Sequence, residues 1–290
     1  MGNKYNYVLI TPARNEETNI EKTIQSVVSQ TILPKKWVIV SDGSTDSTDD
    51  IVRRYAARYL FIELIRAADS GKYNFGSKVY AFNAGYARIN DVDYDYIGNL
   101  DADITFQQDY CERILTKLED NDKLGIAGGM VSELFKGKFV TLDYNVNSVA
   151  GAVQMFKRRC FEEIGGYLPL KYGGIDAVAE IMSRMHGWEV RSFKDIVVYH
   201  NRRIGTTQET IARSRFRYGV RDYSFGTHPL FMLLKSLHRI IEKPYILGAI
   251  LTFSGYAWSW LRREPKAVSE EVVRYLRKEQ IARMSSKFKL

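Results

Sequence analysis

Tyr7-Val8-Leu9-Ile10-Thr11-Pro12-Ala13-Arg14-Asn15-Glu16 sets the architecture, and Trp37-Val38-Ile39-Val40-Ser41-Asp42-Gly43-Ser44-Thr45-Asp46 repeats its logic. Each begins as an unbroken apolar run, the pattern of a strand buried on both faces, and passes at once into turn-forming polar residues. A strand that ends in such a loop and leads into a helix places the loop at the carboxyl edge of a sheet, the usual ligand crevice of open α/β proteins. Working outward, residues 60–65, 94–100 and 124–128 read as further strands. The stretches between them are amphipathic. Residues 17–30 put Ile20, Ile24, Val27 and Val28 on one helical face. Residues 45–58 follow the capping candidates Ser44 and Thr45 and turn Ile51, Val52 and Tyr55 inward, and residues 107–118 do the same with Ile114, Leu115 and Leu118. This alternation predicts an α/β fold with a mostly parallel central sheet flanked by helices.

Further along, residues 152–157 read as a strand leading to a short helix that ends at Gly165-Gly166. Residues 176–185 read as a helix and 190–199 as a strand. From Ile204 the chain becomes helical and basic, which predicts a catalytic domain over residues 1–203 and a helical extension over 204–290. Within the extension, residues 231–241 are amphipathic. Residues 244–261 are nearly uncharged, contain Tyr256, Trp258 and Trp260, and end on Arg262-Arg263. Aromatics against a basic flank suit a segment at a membrane interface. The run is also near the length of a spanning helix, and a buried or oligomer helix fits it as well.

Composition narrows the classes. In 290 residues, 42 Lys and Arg face 34 Asp and Glu, and the excess of +8 suits an anionic partner: a diphosphate, lipid headgroups or nucleic acid. No nucleic-acid reading module is recognisable, so that class is set aside. Cys111 and Cys160 are far apart and without metal-ligand spacing, which removes a disulfide framework or zinc site and fits a reducing cytosol. No charged segment followed by a long apolar one precedes the first strand, so no signal peptide is visible.

Four constellations carry chemistry. Thr11–Glu16 and Ser41–Asp46 follow the first two strands, and Asp42 can accept hydrogen bonds from a base or ribose, or simply make a turn. Asp101-Ala102-Asp103 follows an apolar strand. Residues two apart point the same way in extended chain, so both carboxylates can face one hard cation. Gly76, Lys78, Ala81, Asn83 and Gly85 open a helical stretch in which Lys78 can meet a diphosphate and the glycines permit close backbone approach.

In this order, Pro12–Glu16, Asp42–Asp46, residues 74–85 and Asp101–Asp103 resemble the motifs of the family 2 glycosyltransferases of the GT-A fold. The resemblance implies a nucleoside diphosphate-sugar donor, a UDP- or GDP-sugar, and a divalent cofactor, Mn²⁺ or Mg²⁺. It places Pro12, Ala13, Arg14, Glu16 and Asp42 on the nucleoside, and Lys78 near it or the diphosphate. Asp101 falls on the ribose and Asp103 on the metal. The family's late acidic pair corresponds to Ile175-Asp176. The first acid is replaced, and Asp176 keeps the position of the catalytic base, with Glu180 one turn on as a reserve. An N-cap role for Asp176 is compatible with this. His200 corresponds to a further metal ligand or diphosphate contact, or is structural; Arg202 and Arg203, which follow it, can neutralise the leaving diphosphate or simply face solvent. Gly165-Gly166 and residues 154–159 are expected on the acceptor side. The Gln-x-x-Arg-Trp segment of processive synthases is replaced by Ala212-Arg213-Ser214-Arg215-Phe216, which favours transfer of a single sugar.

The combined expectation is a metal-dependent, inverting glycosyltransferase acting on a lipid-linked or cell-envelope glycan acceptor. It would be cytoplasmic, peripheral to the inner face of the cell membrane, with homo-oligomerisation left open. The alternatives are a nucleotidyltransferase, whose glycine- and lysine-containing first loop is not evident, and a non-catalytic binding subunit of the same fold.

Overall fold

The computed structural model describes residues 4–67, 76–135, 137–141, 145–201, 210–241 and 244–288, with only the backbone at 135, 287 and 288. The chain divides into two compact units, Met1–Pro169 with Ile175–Ile204, and Leu170–Gly174 with Gly205–Leu290.

The first unit runs β1 (Tyr7–Ala13), α1 (Ile20–Val28), β2 (Lys36–Ser41), α2 (Thr48–Ala56), β3 (Ile62–Arg66), α3 (Ser77–Tyr86), β4 (Tyr96–Asn99) and β5 (Ile104–Phe106). It continues with α4 (Tyr110–Glu119), β6 (Leu124–Phe135), β7 (Lys138–Thr141), β8 (Met155–Lys157), α5 (Arg158–Glu163), α6 (Ile175–Met185) and β9 (Glu189–His200). The strands form one sheet in the order β3-β2-β1-β4-β8-β6-β9-β5, with β7 paired to β6. The α/β class expected from the sequence is the class found, but parallel pairing is confined to β3-β2-β1-β4 and to β6-β9. Strands β8, β5 and β7 pair antiparallel, so the sheet is mixed.

Strand alternation divides the core between the two faces. Tyr7, Leu9, Trp37 and Ile39 pack under α1, α2 and α4 through Ile24, Val52 and Ile114. Val8, Ile10, Val38 and Val40 pack under α3, α5 and α6 through Phe82, Phe161 and Ala179. Helix α3 lies tight on the sheet. A Cβ at Gly85 would stand 2.7 Å from Ile10 Cγ2, so this glycine serves helix–sheet packing, not approach to a ligand.

Helix α2 begins three residues later than the sequence suggests. Ser47 is its N-cap residue, without a side-chain cap bond, while Ser44 and Thr45 are engaged by Asn15. The strand expected over 152–157 forms only at Met155–Lys157. Gln154 is fully buried, and Gly165 and Gly166 take positive φ after α5, so the segment expected on the acceptor side is partly core and helix terminus.

The second unit contains α7 (Ile211–Ser224), α8 (Pro229–His238), α9 (Tyr245–Leu261) and α10 (Glu270–Phe288). Thr210 Oγ1 caps α7 by accepting from the Arg213 amide at 3.3 Å, and Pro229 opens α8. Tyr223, Met232 and Tyr256 join α7, α8 and α9 in a small core. Helices α7 and α9 meet backbone to backbone: a Cβ on Gly219 would lie 1.9 Å from the Thr252 carbonyl oxygen, and one on Gly255 2.0 Å from that of Phe216. Neither neighbour can yield without moving a helix. Gly219→Ala is therefore expected to cost about 3 kcal/mol or more, the upper range for overpacking, seen in calorimetry as a lowered transition of the helical unit.

Candidate active site

The carboxyl ends of β1 and β2 carry the first two motifs, and the structure shows how they hold each other. Asn15 sits at φ 52°, its amide donates to Ser44 Oγ at 3.2 Å, and its Oδ1 accepts from the Thr45 amide at 2.9 Å. The Glu16 amide donates to Thr48 Oγ1 at 2.8 Å and the Glu17 amide to Asp46 Oδ2 at 3.0 Å. Asp46 also accepts from the Thr48 amide and hydroxyl. Burial opposes charge on Asp46, but these donors outweigh it and hold its carboxyl below the usual range. Asn15 and Asp46 are thus the braces of the two loops, a role the sequence reading did not assign to them. The braced loops present a half-buried Pro12, a buried Ala13, an exposed Arg14, and the buried carboxylates of Glu16 and Asp42. The Asp42 amide donates to the Ala13 carbonyl at 2.8 Å, which ties the end of β1 to the end of β2.

At the end of β4 the acidic motif meets three other elements. Lys78, in the first turn of α3, donates to Asp101 Oδ1 at 2.5 Å. Burial lowers the Lys78 ammonium, but the carboxylates of Asp101, Asp176 and Asp103 together hold it above its ordinary value. One ammonium therefore lies within the field of all three aspartates, which come from distant parts of the chain. The Asp101 amide donates to the Ala152 carbonyl at 2.9 Å. Asn99 bonds the Gly151 carbonyl through its side-chain amide and reaches Asp101 Oδ1 at 3.5 Å.

Gly151 is what lets Asp176 in. A Cβ there would stand 2.9 Å from both Cβ and Oδ2 of Asp176. Helix α6 begins at Ile175, so Asp176 lies inside its first turn and not at the N-cap, where the helix dipole favours a negative charge. Asn99 and Gly151 were not singled out in the sequence. A polar residue closing the apolar run 94–100 was the one available signal.

Asp103 and His200 form the third part. Asp103 Oδ2 and His200 Nε2 are 3.0 Å apart, with side chains 10% and 12% exposed. Asn201 fixes the pair from below, donating its backbone and side-chain amides to the Asp103 carbonyl at 2.9 and 3.1 Å. Burial disfavours charge on His200, but the Asp103 carboxylate, with Asp101 and Glu133 behind it, raises the imidazole above its usual value. A carboxylate oxygen and an imidazole nitrogen suit a divalent cation. Two donors at right angles, each about 2.1 Å from an octahedral centre, stand about 3.0 Å apart, so the pair fits two adjacent positions. Among the described residues no group of three or more His, Cys, Asp or Glu gathers around such a point. Arg202 and Arg203 lie outside the described residues.

Glu180 is 4% exposed and turned into the protein, where Oε1 accepts from the Val149 amide at 2.7 Å and the Ser148 hydroxyl at 3.0 Å. It underlies the 149–154 loop that carries Gly151, and burial moves it away from the reserve-base role. Burial first, then the charge of Asp176, pushes its carboxyl up to about 7, against the Val149 amide, Arg184 and Ser148. The fold therefore favours protonated Glu180. That stabilisation is complete below the ordinary value of 4.5 and is lost as pH rises through about 7. Glu180→Gln is expected to gain stability over the wild type between pH 5 and 8, by about 3 kcal/mol at the upper end, read as diverging denaturation midpoints. Parallel midpoints would contradict this.

A mixed α/β sheet with an acidic motif at the end of its fourth strand defines the GT-A class of glycosyltransferases, and solved structures of that class match it. A mannosyltransferase, PcManGT from Pyrobaculum calidifontis, solved in complex with GDP-Man and Mn²⁺, superposes with a TM-score of 0.56. The match has 17% identity and covers 98% of this chain and 81% of that one. S. aureus TarS 1-349 in complex with UDP-GlcNAc gives 0.55 at 12% identity, covering 87% and 71%. The chain belongs to glycosyl transferase family 2, whose model matches residues 8–172. Among curated relatives, the poly-beta-1,6-N-acetyl-D-glucosamine synthase of Staphylococcus epidermidis is 25% identical over 207 residues. That is 65% of this chain and 46% of the relative. The enzyme of the same name from Staphylococcus aureus (strain COL) is 27% identical over 170 residues, 52% and 39%. The match thus spans less than half the length of these relatives.

Proposed function

We propose that this chain transfers a single sugar, with inversion, from a UDP- or GDP-sugar to a hydroxyl or phosphate of a lipid-linked or cell-envelope glycan acceptor. The work would be done on the cytoplasmic side of a membrane. What carries the reading is Lys78, bonded to Asp101 beyond the end of β4 and lying within the field of Asp103 and of Asp176 in the first turn of α6. The neighbours solved with GDP-Man and Mn²⁺ and with UDP-GlcNAc support the donor class, and the staphylococcal synthases support a cell-envelope product. Replacement of the processive signature within α7 supports single transfer.

In this scheme the braced loops around Pro12–Glu16 and Asp42 receive the nucleoside, and Asp101, held by Lys78 and Asn99, faces the ribose. Asp103 and His200 would hold a divalent cation, which when bound supplies Lewis-acid neutralisation of the departing diphosphate. A mixed oxygen and nitrogen donor pair favours Mn²⁺ over Mg²⁺, which prefers an all-oxygen shell. Lys78 contributes a fixed positive charge beside the same diphosphate. Asp176 takes the acceptor proton as the acceptor oxygen attacks the anomeric carbon from the side opposite the diphosphate.

The test is a panel of UDP- and GDP-sugars incubated with the protein and Mn²⁺, with and without chelator. Release of UDP or GDP that needs the cation is expected. Nucleotide binding without any release, or pyrophosphate release from a nucleoside triphosphate, would overturn the reading.

A further inference from the structure

The second unit shows one surface that its own packing leaves unexplained. Helix α9 turns Gly248, Ala249, Thr252, Gly255, Tyr256 and Ser259 inward, so its small and polar residues face the protein. Its large apolar residues face out: Ile246, Ile250, Phe253 and Trp260 recur at helical spacing on the opposite side, each between 39% and 60% exposed. Helix α8 beside it adds Leu230, Leu233 and Leu237, between 42% and 52% exposed. This is the reverse of a soluble helix pair, and an apolar surface of this kind marks an interaction site.

Three observations select the occupant. Between residues 210 and 263 the chain holds nine Lys and Arg against two acids, so this stretch carries most of the net charge of +8. At the C-terminal end of α9 the Arg262 guanidinium stands 4.6 Å over the exposed Trp258 ring, next to Arg263. Indole and guanidinium at the edge of an apolar face is the chemistry of a headgroup region, where the ring sits at the boundary and the cation meets phosphate. Among the described residues no helix is long and apolar enough to cross a membrane. In α9, moreover, the inward half is taken up by the backbone contact with α7 at Gly219 and Gly255. A second copy of the chain is the poorer partner, because a twofold contact would bring together two helical units that each carry a net positive charge, with Arg262 and Arg263 at the edge of the contact.

We infer that the outward face of α8 and α9 docks on an anionic lipid bilayer, lying in the headgroup region with Ile246, Ile250, Phe253 and Trp260 in the acyl boundary. This rests on the membrane-side reading above and gives it a surface; the transfer chemistry does not depend on it.

The experiment is sedimentation of the full chain with vesicles of phosphatidylcholine alone or mixed with phosphatidylglycerol, alongside nucleotide release from the donor panel in vesicle-free buffer. The wild type is expected to pellet with the anionic vesicles and at least about tenfold more weakly with neutral ones, with binding falling as salt rises. Ile250→Glu/Phe253→Glu is expected to lose binding to both. Arg262→Glu/Arg263→Glu, exposed and outside the helix packing, is expected to lose the preference for the anionic ones. Donor turnover should stay unchanged in both variants. If the wild type ignores both vesicles, or the variants bind as well as it does, the inference is overturned. A stable dimer without lipid that Ile250→Glu/Phe253→Glu dissociates would likewise overturn it and assign the face to a second copy. Absence of donor turnover with vesicle binding intact would sink the proposed chemistry and leave the docking surface standing.

Discussion

Asp176→Asn is expected to lower kcat for sugar transfer by about 10²–10⁴-fold, the usual contribution of a positioned general base, while donor affinity changes little. An asparagine keeps the size of the side chain beside Gly151, so the 149–154 loop and its bond from Asn99 survive. What is lost is the acceptor for the proton released as the new bond forms. Donor affinity is the separating measurement, because Asp176 belongs to the first turn of α6 and not to the loops that follow β1 and β2. A variant that loses affinity and keeps kcat would place Asp176 in binding and not in proton transfer. Gly151→Ala offers a second route to the same residue: its Cβ would displace the carboxylate from the opposite side. A loss of kcat there, with the chain folded, would show that position as well as charge matters.

The second large effect is expected at Asp103. Asp103→Ala removes one of the two described donors that could hold a cation and leaves His200 without its partner at 3.0 Å. Removing an electrostatic stabiliser of developing charge costs about 10²–10³-fold in kcat, and here the dependence on Mn²⁺ should weaken with it. The readout is the Mn²⁺ concentration for half-maximal turnover, expected to rise at least tenfold or to vanish with activity. Unchanged metal dependence in this variant would remove Asp103 from the cation site. The Asp103 carbonyl would still accept from Asn201, so the β5–β9 edge should hold and the loss would not reflect unfolding.

The half of the sheet built from β1, β2, β3 and β4 was legible because its strands are rich in apolar residues, interrupted in β3 by Glu63, and are closed by polar ones. The other half was legible only in part: β9 lies where 190–199 was read as a strand, β6 begins where 124–128 was, and β8 forms at the end of 152–157. Strands β5 and β7 are three and four residues long, too short for a periodic signal, and β6 continues well past the apolar stretch at 124–128. Nor could sequence divide the core between the two faces: Tyr7, Val8, Leu9 and Ile10 are all apolar, and only the structure sends alternate residues to different helices.

At the candidate site, the residues legible in the sequence carry a titratable group at the end of an element: Asp42, Asp101, Asp103 and His200 at strand ends, Lys78 and Asp176 in first helical turns. The residues that hold them were silent, because their work depends on geometry. Asn15 and Asp46 act by bracing one loop with another, Asn99 by holding a carbonyl, and Gly151 by lacking a Cβ. Glu180 shows the opposite error. One-turn spacing places it near Asp176 along α6, but spacing alone does not reveal that it is turned into the core toward Val149 and Ser148.

The most direct measurement is a crystal structure of the chain with Mn²⁺ and a non-hydrolysable nucleotide-sugar. The cation is expected between Asp103, His200 and the diphosphate, with an Asp176 oxygen facing the anomeric carbon from the side away from that diphosphate. A bound donor whose anomeric carbon lies out of reach of Asp176, or a cation held without Asp103, would contradict that expectation.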